Sequence, residues 1–222
     1  MAPVGGRPFL DYLLSWLRSE GVKEVILCVG FKRSHIRRFV SSGRKWGLRA
    51  NYSIEQKLLG TAGAVKKAER LVCGERLLIV NGDTFVGVKL REMMKFHLHH
   101  KAVATIATTM VADSGRYGSV RIGRRGRVIG FREKGETFAR DARGKRKGLI
   151  NAGVYLFEKK LLKRISAGKR VSLEKEVLPS ILAKRRVFGF ASKGYFLDIG
   201  IPKDLRRAQI ELPKRIHINH SR

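Results

Sequence analysis

The stretch Leu77-Leu78-Ile79-Val80-Asn81-Gly82-Asp83-Thr84 decides the fold class. Four consecutive aliphatic residues read as a short buried strand, and Asn-Gly-Asp ends it by presenting a carboxylate at the carboxyl edge of a sheet. α/β proteins gather nucleotides and metal ions at that edge. About twenty residues upstream lies the glycine-rich turn Leu59-Gly60-Thr61-Ala62-Gly63. Together the two stretches suit a protein that holds a phosphate ester through a divalent ion.

Working outward, the apolar pattern predicts helix and strand in alternation. A helix over Phe9 to Leu17 follows Pro8 and closes at Gly21, before the β-branched run Val25 to Val29. Ser34 is placed to cap a helix through Val40; a strand over Ala50 to Ile54, a helix from Ala62 through Leu71, the strand into Asn81 and a helix from Leu90 through His100 follow. This alternation predicts βαβ units and a largely parallel sheet over residues 1–100, the nucleotide-binding half. From 101 to 212 the chain turns strand-rich: Val103 to Val111, Gly118 to Ile122, Arg127 to Glu133, Leu149 to Phe157 and Val187 to Leu197, with one helix over Leu173 to Leu182 capped by Ser172. That half continues the sheet and supplies the pocket for a second substrate, and 213–222 reads as a tail. The chain is expected to form one domain over 1–222.

Composition sets limits. With 222 residues, 43% of them apolar, the chain can bury a full core. It has no run of about eighteen apolar residues and no charged-then-apolar leader, so a cytosolic protein without a membrane partner is expected. Cys28 and Cys73 share no motif spacing and read as buried free thiols. The 48 basic residues exceed the 18 acidic ones and give a net charge of +30. Such a charge attracts polyanions nonspecifically. Its scatter in singles and pairs, with no zinc-finger spacing, basic arm or RNP-type strand, argues against specific nucleic-acid recognition. The densest run, Arg140 to Lys147, reads as a loop. On the helix ending at His100, only His97 and His100 share a face and no third ligand is in view, so these histidines read as a solvated helix end.

The motifs, in their order and spacing, resemble the sugar nucleotidyltransferases, which join a sugar 1-phosphate to a nucleoside triphosphate and release pyrophosphate. The resemblance runs from Met1 to about Leu212. It rests on Met1 to Leu10, Leu59 to Gly63, Asn81 to Thr84, Gly130-Phe131-Arg132-Glu133-Lys134, Asn151-Ala152-Gly153-Val154-Tyr155 and Asp198-Ile199-Gly200. Asp113 to Gly118, Gly148 to Tyr155 and Tyr195 to Gly200 are similar to the branch that uses heptose- or mannose-type sugar 1-phosphates and GTP. The resemblance implies a Rossmann-like three-layer α/β nucleotide-diphospho-sugar transferase fold with a mixed sheet, and a role in nucleotide-sugar and cell-surface glycan synthesis. These enzymes open with a strand and a glycine-rich loop that cradles the triphosphate. Neither stands in this sequence, so the expectation is a fold lacking its first strand. Either the true start lies upstream of Met1 or the product is impaired.

The resemblance also assigns roles. Asp83 and Asp198 would hold Mg²⁺ between the triphosphate and the sugar phosphate; outside the family, Asp83 is a turn or cap residue and Asp198 a strand-end turn. Lys134 would contact the sugar phosphate and join Asp83 in catalysis, with Glu133 accepting from sugar hydroxyls, although a Glu-Lys pair by itself is only a solvated edge. Gly60, Thr61 and Gly63 would let backbone approach the nucleotide, where otherwise they mark a helix start. Glu55, an acceptor-only carboxylate, suits the two adjacent donors on the guanine edge. Tyr117, Gly118 and Asn151 fit the sugar pocket, or else a core tyrosine and a turn. Gly87 and Lys89 stand where the family usually carries acidic residues. Two alternatives stay open: a noncatalytic relative that only binds sugar or nucleotide, and a polyanion-binding protein on this fold.

Overall fold

The computed structural model describes residues 1–132, 148–182 and 186–216. A hairpin of β1 (Pro3–Val4) and β2 (Arg7–Pro8) leads into α1 (Phe9–Ser19), followed by β3 (Glu24–Val29), α2 (Arg33–Val40), β4 (Arg49–Ile54), α3 (Gly60–Ala68), β5 (Arg76–Val80), β6 (Thr84–Val86) and α4 (Leu90–His99). Then come β7 (Ala104–Val111), β8 (Ser119–Ile122), β9 (Val128–Arg132), β10 (Gly148–Glu158), α5 (Leu178–Leu182), β11 (Val187–Ala191), β12 (Phe196–Asp198) and α6 (Pro202–Arg215).

The main sheet runs β11-β7-β10-β8-β9, and β5 pairs with β10 from Val154↔Val80 to Glu158↔Arg76. Period-2 alternation along β10 builds the layers. Ala152, Val154 and Leu156 face a core with Phe9, Leu13 and Trp16 of α1, Met93 of α4 and Ala208 of α6. Tyr155 and Phe157 face the opposite core, with Ala62 of α3 and Leu178 and Ile181 of α5. Helices thus cover both faces of a mixed sheet, as the motifs imply. A third cluster, around Val40, Trp46 and Leu48, covers β3 and β4.

The sheet is less parallel than the alternation predicts. Among the described residues only β3/β4 and β7/β11 are parallel. Among the described residues β3 pairs only with β4 and β5 only with β10, so the two nucleotide-half ladders are not hydrogen-bonded to each other. Period and composition report burial, not the identity of the neighbouring strand.

Five further expectations change. The run Val187 to Leu197 is two strands in different sheets, because the chain leaves β7 at Ser192, whose amide donates to Thr108 O (2.7 Å), and turns at Gly194, whose amide donates to Ser192 Oγ (3.2 Å). Lys32 takes left-handed backbone (φ 53°) ahead of α2, so Ser34 falls inside the helix and caps nothing. Both cysteines are exposed; among the described residues β3 pairs on one edge alone and Cys73 sits in a loop. His97 is buried, with Nδ1 2.8 Å from Thr105 Oγ1 and Nε2 3.4 Å from Glu158 Oε1. His100 stacks between Phe96 and Phe188, so only His99 fits a solvated end. Finally, α6 runs through Pro213 to Arg215 and into the expected tail, held by Gln209, whose Oε1 accepts from Gly5 N (2.8 Å) and whose Nε2 donates to Pro3 O (2.6 Å).

Candidate active site

The site is built where β5 ends. The chain turns at Gly82-Asp83 and enters β6, which pairs antiparallel with β12 so that Asp198 stands opposite Thr84. Ile199 N donates to Asp83 O (2.9 Å), which brings the two strand-end aspartates side by side. Asp83 Oδ1 accepts from Thr84 Oγ1 (3.1 Å) and Asp198 Oδ1 from Gly200 N (2.6 Å). Each carboxylate spends its Oδ1 on fixing its own orientation. Both line a small cleft of about 90 Å³. Among the described residues no cluster of three or more His, Cys, Asp or Glu could cage a metal. Two carboxylates at an open cleft instead suit a hard divalent cation that takes its remaining ligands from phosphate and water.

The opposite wall comes from β10 and the segment before β8. Gly153, at φ +74°, sits where the β10–β7 register slips between Asn151 and Tyr155. A Cβ there would lie 3.1–3.3 Å from the Asn81 side chain. This bulge re-aims β10 so that Asn151 lines the cleft while Tyr155 turns inward. Asn151 N donates to Gly118 O (2.8 Å), and a Cβ on Gly118 would meet the Phe131 ring at 2.9 Å. Tyr117 packs edge-on against Phe196 (5.4 Å), and burial pushes its phenol up against the lowering effect of Arg116. Arg116 itself pairs with buried Asp204 of α6 at 2.6 Å and so ties the segment to the helix.

The glycine-rich turn has a different surrounding from the one the motif suggests. Gly60 has φ +69°, and a Cβ on it would meet Val171 O at 2.6 Å; a Cβ on Gly63 would meet Lys169 O at 2.6 Å. The amides of Ala62 and Gly63 donate to Val171 O (3.0 and 3.2 Å), and Val171 N to Leu59 O (2.8 Å). These glycines therefore admit the chain's own 169–171 backbone. Thr61 Oγ1 donates to Glu174 Oε2 (2.9 Å) and accepts from Leu173 N (2.8 Å). Glu55 lies beyond β4 with Oε2 accepting from Leu59 N (3.2 Å), at the start of the same turn and away from the two aspartates. Glu133, Lys134 and the run Arg140 to Lys147 lie outside the described residues.

The motifs single out neither Glu174 nor Tyr155 as a functional side chain, yet Glu174 lines the cleft and Tyr155 is fully buried behind it. In sequence Glu174 is one more glutamate in a helix's first turn, where acidic residues favour the dipole. The available signal is its spacing. Glu176, four residues past the Ser172 cap, accepts from Ser172 N (2.8 Å), which leaves Glu174 without a capping task.

Comparison with known proteins agrees with this fold. The family model described as nucleotidyl transferase matches residues 1–215. The chain is 41% identical over 212 residues to the D-glycero-alpha-D-manno-heptose 1-phosphate guanylyltransferase of Aneurinibacillus thermoaerophilus, covering 96% of this chain and 88% of that protein. It is 32% identical to the mannose-1-phosphate guanylyltransferase of Mycobacterium tuberculosis, covering 97% of this chain and 59% of that longer protein. Among solved structures, HddC from Yersinia pseudotuberculosis superposes with a TM-score of 0.83 at 30% identity, covering 94% of this chain and 87% of that one; it has also been solved complexed with GMP-PN. The chain belongs to the nucleotidyl transferase family.

Proposed function

We propose that this protein joins a heptose- or mannose-type sugar 1-phosphate to the nucleotidyl group of GTP and releases pyrophosphate. The observation that carries the proposal is the pair Asp83 and Asp198, held side by side at one end of a cleft whose other wall is Tyr117, Gly118 and Asn151, in a chain of this family. Two carboxylates that hold a divalent cation answer the need to gather two polyanionic substrates, and the amide of Asn151 and phenol of Tyr117 answer sugar hydroxyls. The choice of GTP and of these sugars rests on the named activities of the similar proteins. Both cores draw on β10, which supports reading the chain as one domain, and use of a nucleoside triphosphate supports a cytoplasmic setting.

Asp83 and Asp198 would hold Mg²⁺, which would supply positive charge to offset that of the reacting phosphates. The sugar phosphate oxygen attacks the α-phosphorus in line. The new phosphorus–oxygen bond forms as the bond to the β-phosphate oxygen breaks, and that electron pair leaves with pyrophosphate. No covalent intermediate on the protein is needed, because the attacking phosphate is already a nucleophile. The chain's task is alignment and exclusion of competing water. Tyr117 and Asn151 orient the sugar, Lys134 meets its phosphate and Glu133 its hydroxyls, while the turn that Gly60, Thr61 and Gly63 hold against the 169–171 segment, with Glu55 bonded at its start, frames the nucleotide from outside that packed contact. Calorimetric titration of Mg²⁺ into GTP-loaded protein tests the aspartate pair: Asp83→Asn and Asp198→Asn should each weaken metal binding by tenfold or more. Undiminished binding in both variants would remove the pair from the site.

A further inference from the structure

A single carboxylate joins the two halves of the site. Glu174 Oε1 accepts from Tyr155 Oη (2.9 Å), and Oε2 accepts from Thr61 Oγ1 (2.9 Å) and Ser172 Oγ (3.1 Å). On the sugar side, Tyr155 Oη accepts from Asn151 Nδ2 (2.6 Å), and Asn151 Oδ1 accepts from Gly153 N (3.1 Å). On the nucleotide side, Thr61 follows Gly60 in the first turn of α3. The path from Thr61 to Asn151 crosses only two side chains, Glu174 and Tyr155.

The direction of each proton in this chain is fixed. Tyr155 is wholly buried, and burial holds its phenol well above the usual tyrosine range, so it stays protonated and must donate. Its oxygen already takes the Asn151 amide, as Thr61 Oγ1 already takes the Leu173 amide. Both hydroxyl protons therefore point at Glu174, which must be an acceptor at both oxygens. An ionised carboxylate meets that demand and a carboxamide does not. Buried or half-buried networks of this kind hold one arrangement when every member is satisfied and loosen as a unit when one is not.

We infer that Glu174 is a positioning residue that couples the two substrate subsites, so that the Thr61 turn ordered by bound nucleotide sets the Asn151 amide for the sugar phosphate. The inference rests on the transferase reading above and assigns within it a task that the aspartates do not perform. Glu174 makes no bond to a reacting atom in this role. Its effect is on how strongly one substrate's binding helps the other's.

The test measures that coupling directly. A non-hydrolysable GTP analogue and mannose 1-phosphate are titrated calorimetrically, singly and together with Mg²⁺, into the wild type and into Glu174→Gln, Thr61→Val and Thr61→Ser. In the wild type the analogue should tighten sugar phosphate binding by at least about fivefold, the low end of ordinary site coupling. Glu174→Gln should bring this factor below about twofold while each ligand alone binds within about threefold of wild type, and Thr61→Val should bring the factor below about twofold whatever its effect on nucleotide binding alone. Thr61→Ser, which keeps the hydroxyl, should retain it. A residue that only held the fold would lower the thermal midpoint and leave the coupling factor alone. Full coupling in Glu174→Gln overturns the inference, as does an uncoupled wild type. Should Glu174→Gln fail to fold, Thr61→Val decides, and full coupling there overturns it equally. Wild-type protein that binds neither ligand would instead defeat the transferase reading, taking the inference with it.

Discussion

Replacing Gly60 by alanine should destabilise the protein far more than the same change at Gly74, and the structure gives the margin. Both glycines have left-handed backbone, φ +69° at Gly60 and +85° at Gly74. An L residue there costs about 1–2 kcal/mol. At Gly74 that is the whole cost, because the added carbon meets nothing within 4 Å. At Gly60 it would also lie 2.6 Å from Val171 O, 3.1 Å from its carbonyl carbon and 3.3 Å from its nitrogen, all backbone atoms that cannot rotate aside. Relief requires the 169–171 segment to move off the start of α3. That motion strains three hydrogen bonds, Ala62 N and Gly63 N to Val171 O and Val171 N to Leu59 O. Losing two of them at about 1 kcal/mol each brings the total to about 3–4 kcal/mol. For a chain of this size each kcal/mol moves the thermal midpoint by about 2–4 °C. Gly60→Ala should thus melt about 10 °C below wild type and Gly74→Ala about 4 °C below, by differential scanning calorimetry. Equal midpoints for the two variants would refute the packing argument and return Gly60 to the ligand-approach role that the motif alone suggests.

Three other outcomes follow from particular side chains. Asp83→Asn, which keeps size and loses charge, should leave the fold intact by circular dichroism and abolish transfer; near-normal turnover would remove Asp83 from the chemistry. Glu55→Gln should erode the preference for GTP over UTP by about 1–3 kcal/mol, the cost of one unsatisfied buried polar group. An unchanged ratio of GTP to UTP use would show that the base is read elsewhere, leaving Glu55 with only its bond to the Leu59 amide. For His97, burial lowers the imidazole's proton affinity and Glu158 only partly opposes it. The unfolded chain therefore takes up a proton that the folded chain resists, so this contribution to stability is present above about pH 6.5 and is lost as the pH falls below it. Chemical denaturation between pH 5 and 8 should show that slope in wild type and a flatter one in His97→Gln; identical slopes would assign the acid sensitivity to other groups.

The parts of the candidate site that were legible in sequence are those where a strand must end in a fixed chemical group. Asp83 and Asp198 stand out because an apolar run stops at each, and backbone pairing of β6 with β12 then places them together without help from any other side chain. Asn151 was legible as a motif, but its aim was not, since it depends on a bulge at Gly153 that shows only as a register slip against β7. Glu174 was hidden because its partners Thr61 and Tyr155 are 113 and 19 residues away, and no local pattern links them. His97 and the cysteines misled for a related reason. Helical spacing puts His97 at the end of α4 but cannot say that Thr105 and Glu158 close over it. An apolar run around Cys28 reads as buried, whereas among the described residues β3 has a single strand partner. The largely parallel first half was likewise a reading of alternation, and β5 found its partner in β10, more than seventy residues onward.

The most direct test of the central claim follows a label on the α-phosphorus of GTP. Protein, Mg²⁺ and mannose 1-phosphate or a heptose 1-phosphate are incubated with α-labelled GTP, and nucleotide sugar and pyrophosphate are quantified together. The account predicts that the label passes into a GDP-sugar with one pyrophosphate released for each, and that the Asp83→Asn protein forms neither. Pyrophosphate released without labelled GDP-sugar, or a GDP-sugar formed undiminished by the Asp83→Asn protein, would contradict it.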